Sequence, residues 1–106
     1  MSTVDYANAA AEAEVEALPD DLRLKFQRLV RVVQAQGLQA LREPNAKHVE
    51  GKLWELRMSG RDGIARSLYV ARSGQRVFIL RTFVKKTQKL PRREIEIALS
   101  RMKILE

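Results

Sequence analysis

The 106-residue chain contains no cysteine. Disulfides, thiolate metal ligands and a cysteine nucleophile are therefore excluded. Its single histidine, His48, cannot build a multi-histidine metal site. Any chemistry is thus expected to need neither metal nor cofactor. No stretch approaches the ~20 apolar residues that a membrane-spanning helix needs. The first residues lack a basic segment followed by an apolar run, so no secretory leader is expected and the chain reads as cytosolic. Internal repeats and low-complexity segments are missing too. At this length there is room for one core, so a single domain over residues 1–106 is expected. Hydrophobic residues make up 45% of the chain, enough for a packed interior.

What the chain does have is positive charge, unevenly spread. Residues 47–106 hold fifteen Lys and Arg against six Asp and Glu, whereas residues 1–46 hold five against seven. The net charge of +7 therefore conceals an acidic front and a strongly basic back. Most of the excess falls in residues 52–91, where arginine and lysine interrupt short apolar runs. Such a polarised field attracts a polyanion to one surface, and nucleic acid is the commonest such partner.

The hydrophobic period changes along the chain. Val4 and Tyr6 suit either a short first strand or a loose end. Residues 9–18 are rich in good helix formers, with Asn8 placed as an N-cap. Pro19, Asp20 and Asp21 read as a break and a restart. Leu22, Phe26, Leu29, Val30 and Val33 then follow the rhythm of an amphipathic helix, which Gly37 is placed to end. Residues 9–36 thus read as a helical hairpin.

From residue 53 the period shortens to two, with Trp54, Leu56 and Met58 sharing one face of a strand and Trp54 expected in the core. Turn chemistry at 59–63 leads to a second strand over 66–71, and a loop at 72–75 leads to a third over 76–84. This third strand, rich in β-branched and aromatic residues, is expected to be central. Pro91 suits the start of a closing helix with an apolar stripe of Ile95, Ala98, Leu99 and Met102. The expected fold is α+β, in the order (β)ααβββα. Two N-terminal helices pack on a small antiparallel sheet, with the helices on one face and a C-terminal helix closing the chain.

Three groups of residues then resemble a known family: Lys-Leu-Trp-Glu-Leu-Arg at 52–57; Arg66-x-x-Tyr69; and Phe83-x-Lys85-Lys86-Thr87-x-Lys89-x-Pro91-x-x-Glu94-Ile95-x-x-Ala98. Together they resemble the phage-derived HigB-like toxins of the RelE/ParE toxin–antitoxin superfamily. The resemblance implies a microbial-RNase-like fold and ribosome-dependent cleavage of messenger RNA. It also implies silencing by a cognate helix-turn-helix antitoxin. The ribosome and its mRNA would be the other partners.

RNA cleavage without a metal needs a base near the 2′-hydroxyl, positive charge on the pentacoordinate phosphate and an acid for the leaving oxygen. Arginine suits the second task because its planar fork grips two phosphate oxygens and stays charged. Matching positions in the superfamily make Arg57, Arg66, Lys85 and Lys86 the candidate phosphate-binding and catalytic groups, with Tyr69 a further candidate. Strict alternation places Arg66 on the face of Leu68 and Val70. It must therefore lie at a strand mouth, or the core face is that of Tyr69, or a bulge re-aims it. Arg81 is expected either to reach a groove or to pair with a carboxylate such as Glu55. Lys89, Arg92 and Arg93 flank the last helix and suit an RNA backbone. His48 is expected in a surface loop, and Glu55 either as a base or as an ion-pair partner of Arg57. Two other functions fit this frame: a ParE-like inhibitor of DNA gyrase, and a non-catalytic RNA-binding module.

Overall fold

The computed structural model describes residues 2–61, 63–73, 75–85 and 89–105. In chain order the elements are β1 (Thr3–Tyr6), α1 (Ala9–Glu16), α2 (Asp20–Gln36), β2 (Ala46–Glu50), β3 (Leu53–Gly60), β4 (Gly63–Arg72), β5 (Arg76–Lys85) and α3 (Arg92–Ile104). The strands form one sheet in the order β1-β5-β4-β3-β2. β1 runs parallel to β5, and the remaining pairs are antiparallel. Among the described residues no helix is long and apolar enough to cross a membrane.

Local chemistry explains the helices. The Asn8 side chain accepts from the Ala11 N–H at 2.8 Å and so satisfies one of the orphan donors of α1. Proline at 19 separates the two helices, and Asp20 and Asp21 open α2 at its positive end. Gly37 closes it at φ +87°, a conformation that disfavours any side chain. The α2 stripe of Leu22, Phe26 and Val33 is buried, as its spacing predicts.

The helices do not share one face of the sheet. α2 covers Leu56, Met58, Ala65, Tyr69, Val77 and Ile79. α3 covers Leu53, Leu68, Val70 and Leu80 on the opposite face through Ile95 and Ala98. The reason lies in the strands, whose alternate positions are apolar on both faces, so both require cover. β4 is the middle strand, with six consecutive buried residues from Ala65 to Val70; β5 lies beside it. β2 is an additional edge strand whose polar residues Lys47, His48 and Glu50 carry little strand signal. His48 therefore sits on a strand, paired with Trp54, not in a loop.

Two irregularities decide where side chains point. The β4–β5 ladder pairs Leu68 with Arg81 and then Tyr69 with Ile79, so Leu80 is an extra residue on β5. Both outer strands are also short. β1 pairs with β5 only as far as Ile79, and β2 pairs with β3 only as far as Leu56. α1 takes over the first open edge: Glu14 accepts from the Thr82 backbone N–H at 3.1 Å.

Candidate functional site

Beyond the end of α3, its face of the sheet carries a cluster of cations. The ladder pairs Arg57 with Arg66 and Arg66 with Phe83, and Ile64 with Lys85 two positions further on. Leu80 faces α3, so strict alternation along β5 would send Lys85 to the α2 side. The extra residue at the bulge reverses that parity. It brings Phe83 and Lys85 onto the face of Arg66.

Arg66, on the middle strand, is only 4% exposed and Lys85 6%. Glu55, 2% exposed, accepts from Arg66 Nη1 at 2.5 Å. Arg66 Nε and Glu55 Oε2 are buried with no hydrogen-bond partner. A carboxylate and a guanidinium that have lost water on both sides are costly unless fully bonded. Burial, together with the nearby Arg66 guanidinium, holds the Lys85 ammonium below the ordinary lysine range. The charges of Arg57 and Lys47 act on it in the same direction, and Glu55 opposes them. The Arg66–Glu55 pair thus lies in a basic neighbourhood, with Arg57 opposite Arg66 and Lys47 opposite Glu55 on the ladder.

A family model described as phage-derived Gp49-like protein matches residues 13–103. The chain belongs to that family. No curated protein matches its sequence. Among solved structures it is similar to a double arginine-to-alanine mutant of the E. coli toxin RelE in the free state. The TM-score is 0.67 at 15% identity, over 95% of this chain and 97% of that one. This likeness shows a shared fold.

In this Gp49-like chain the candidates from sequence divide sharply. Arg57, Arg66 and Lys85 come together, and Lys86 lies outside the described residues. Tyr69 does not join them. It sits on the α2 face within the apolar core, where burial pushes its hydroxyl up to about 12. It also lines a recess of about 350 Å³ together with Trp54, Leu38 and Leu41. Trp54 is 40% exposed instead of core, because α2 ends at Gln36 and leaves that end of the sheet open. Its ring meets His48 edge-on at 5.2 Å.

Arg81 pairs with carboxylates, the second of its two expected roles, but these are Glu94 and Glu14 and not Glu55. Its Nε donates to Glu94 at 2.7 Å and its Nη1 to Glu14 at 2.5 Å. Glu14 also accepts from Arg101 at 2.9 Å, and Arg101 reaches the Leu80 carbonyl at 2.8 Å. Burial pushes the Glu14 carboxyl up, but the bonds from Arg101 and the Thr82 N–H and the charge of Arg81 prevail and hold it below the usual carboxylate range. This clamp ties α1, α3 and the bulge into one unit. Arg92 is exposed and donates to Glu50 at 2.6 Å, with Glu96 at 3.5 Å. Lys89 and Arg93 are exposed at the approach to α3.

Glu14, Lys47 and the pairing of Glu55 with Arg66 escape a sequence reading. Each depends on contacts between residues far apart in the chain. Only the acidic character of residues 12–16 hinted that α1 faces basic partners.

Proposed function

We propose that this protein is the toxin of a type II toxin–antitoxin pair and acts as a metal-independent, ribosome-dependent mRNA endoribonuclease. The observation that carries the reading is the convergence of Arg57, Arg66 and Lys85 on one sheet face, made possible by the β5 bulge. The fold shared with RelE supports the toxin assignment, as does the phage-derived family.

The chemistry follows from the surroundings of each group. Arg66 is oriented by Glu55 and shares a face with Lys85, and both are largely buried, so a phosphodiester that reaches them meets preorganised charge. Two or more cations there stabilise the pentacoordinate phosphate better than the ground-state diester, which carries one charge less. Lys85, with its proton affinity lowered by burial and by Arg66, is suited to protonate the departing 5′ oxygen. Arg57 at the rim holds the adjoining phosphate. An antitoxin with an acidic segment would silence the site by occupying the same cleft.

Controlled expression followed by mapping of transcript ends tests this reading. The expected result is arrested translation with messages cut at defined positions, both lost in Arg66→Ala and Lys85→Ala proteins that remain folded. Intact messages with an induced DNA-damage response would instead identify a gyrase inhibitor and overturn the assignment.

A further inference from the structure

β2 stops opposite Leu56, so β3 beyond Arg57 has an open edge. α2 lies alongside it, and the space between is a groove of about 420 Å³, a size that accommodates a small-molecule ligand. Three cations line it: Lys25 and Arg28 from α2, and Arg57 from β3. No carboxylate is among its lining residues, and neither Arg28 nor Arg57 has an ion-pair partner among the described residues. Leu29 and Pro44 supply apolar wall, and Asn45 a side chain that both donates and accepts.

The groove is held open by bonds at its end. Asp21 accepts from the Arg61 backbone N–H at 2.7 Å, and Lys25 Nζ donates to the Ser59 carbonyl. A side chain at Gly60 would collide with Asp21, so the start of α2 lies directly on the β3–β4 turn. Asn45 accepts from the Arg57 N–H at 2.9 Å, which fixes the remaining wall.

We propose that this groove is a nucleotide subsite for single-stranded RNA, seating the residue next to the phosphate held in the cleft. Arg57 is the shared element, since it lines the groove and is the ladder partner of Arg66. Cations alone would serve an acidic peptide equally well. The apolar walls, the guanidinium planes and the amide favour a base, which stacks on flat groups and bonds through its edge. A recess this size takes one nucleotide of a single strand and excludes a duplex. The strand's destination rests on the nuclease reading, whereas the groove's affinity for RNA does not.

The test uses the purified full-length protein and a 2′-O-methyl RNA hexanucleotide, which cannot be cleaved. Binding is followed by fluorescence anisotropy across a salt series and by amide chemical shifts. Arg28→Ala is expected to weaken binding and lower the salt slope by about 0.7, the loss of one single-strand phosphate contact. Arg31→Ala removes the same charge from the same helix but lines a different recess beside β1, and should leave the slope nearly unchanged. Shifts at Asn45 and Ser59 that disappear in Arg28→Ala would complete the support. Equal effects of Arg28→Ala and Arg31→Ala would overturn the proposal. So would an acidic peptide that shifts these amides where RNA does not. Transcript cleavage in cells that is unaffected by Arg28→Ala would sink the subsite while leaving the nuclease standing. RNA binding at the groove without any cleavage would do the reverse.

Discussion

The face of the sheet that carries α3 treats arginine in opposite ways on the two sides of the β5 bulge. On the helix side, Arg81 and Arg101 meet Glu14 and Glu94, two cations for two carboxylates, and three elements are locked together. On the open side, Arg66 pairs with Glu55 beside Arg57 and Lys85, and two polar atoms of that central pair are left without hydrogen-bond partners among the described residues. Burial is comparable or deeper where compensation is poorer: the Arg66 side chain is 5% exposed and that of Arg81 21%. A fold selected only for stability would place its carboxylates the other way round. Uncompensated buried charge is a feature of sites that await a ligand of opposite sign.

Arg66→Ala and Lys85→Ala should therefore reduce transcript cleavage by about a hundredfold or more, the usual cost of removing a preorganised charge from a reacting centre. Arg66→Ala also strands the buried Glu55 carboxylate and should lose about 3 kcal/mol of stability, so cleavage is compared per folded molecule. Arg81→Ala should likewise lower stability, but with cleavage reduced only in proportion to the folded fraction. Equal loss of cleavage per folded molecule in Arg81→Ala and Arg66→Ala would erase the distinction between the two regions.

Glu14→Ala tests the clamp directly. It takes one of two carboxylates from Arg81, leaves Arg101 with only the Leu80 carbonyl and strips the Thr82 N–H of its acceptor. A loss of about 3 kcal/mol in denaturant unfolding is expected, within the range for breaking a largely buried pair. The native carboxyl is held below its usual 4.5, so its stabilising contribution is complete above that pH and is lost as pH falls through the lowered value. Glu14→Gln should flatten this acid limb of the stability profile.

Replacing the central pair of the open region by apolar residues, Glu55→Met with Arg66→Met, should leave stability unchanged or raise it by about 1–4 kcal/mol while abolishing cleavage. The pair is incompletely bonded, so two methionines lose little and escape the desolvation cost. A marked fall in melting temperature would show that the cleft is built for stability after all.

How legible this was from sequence differs along the chain. The helices were readable because their signals are local: the Asn8 cap, the Pro19 break, the α2 stripe and Gly37 each act within a few residues. The cluster of Arg57, Arg66 and Lys85 was readable through family resemblance, but its geometry was not. Whether Lys85 shares a face with Arg66 turns on one extra residue at Leu80, and Leu80 and Arg81 carry no sequence mark of a bulge. The parity puzzle at Arg66 resolves without a bulge: strict alternation on β4 puts it on the face of Leu68 and Val70, but beyond the reach of α3. Arg81 and Arg66 look alike in the sequence, each interrupting a β-branched run, and only the third dimension assigns one to Glu14 and the other to Glu55.

Tyr69 provides the gentlest probe of which face is which. Its hydroxyl is raised from 10.0 to about 12 by burial under α2, so the native state keeps that proton after the unfolded chain has lost its own. Between pH 10 and 12 the native protein therefore binds more protons, and Tyr69 lowers stability as pH rises. Lys85 acts in the opposite sense: the native state holds its proton more weakly, so its penalty is full at neutral pH and fades as pH climbs towards 10.5. A Tyr6→Phe protein leaves Tyr69 as the sole tyrosine, and its ionisation can be followed by ultraviolet absorbance. A midpoint near 12 that does not move in Lys85→Met would place the phenol and the cleft on separate faces. A midpoint near 10, or one that responds to Lys85, would return Tyr69 to the cleft as a proton-transfer group.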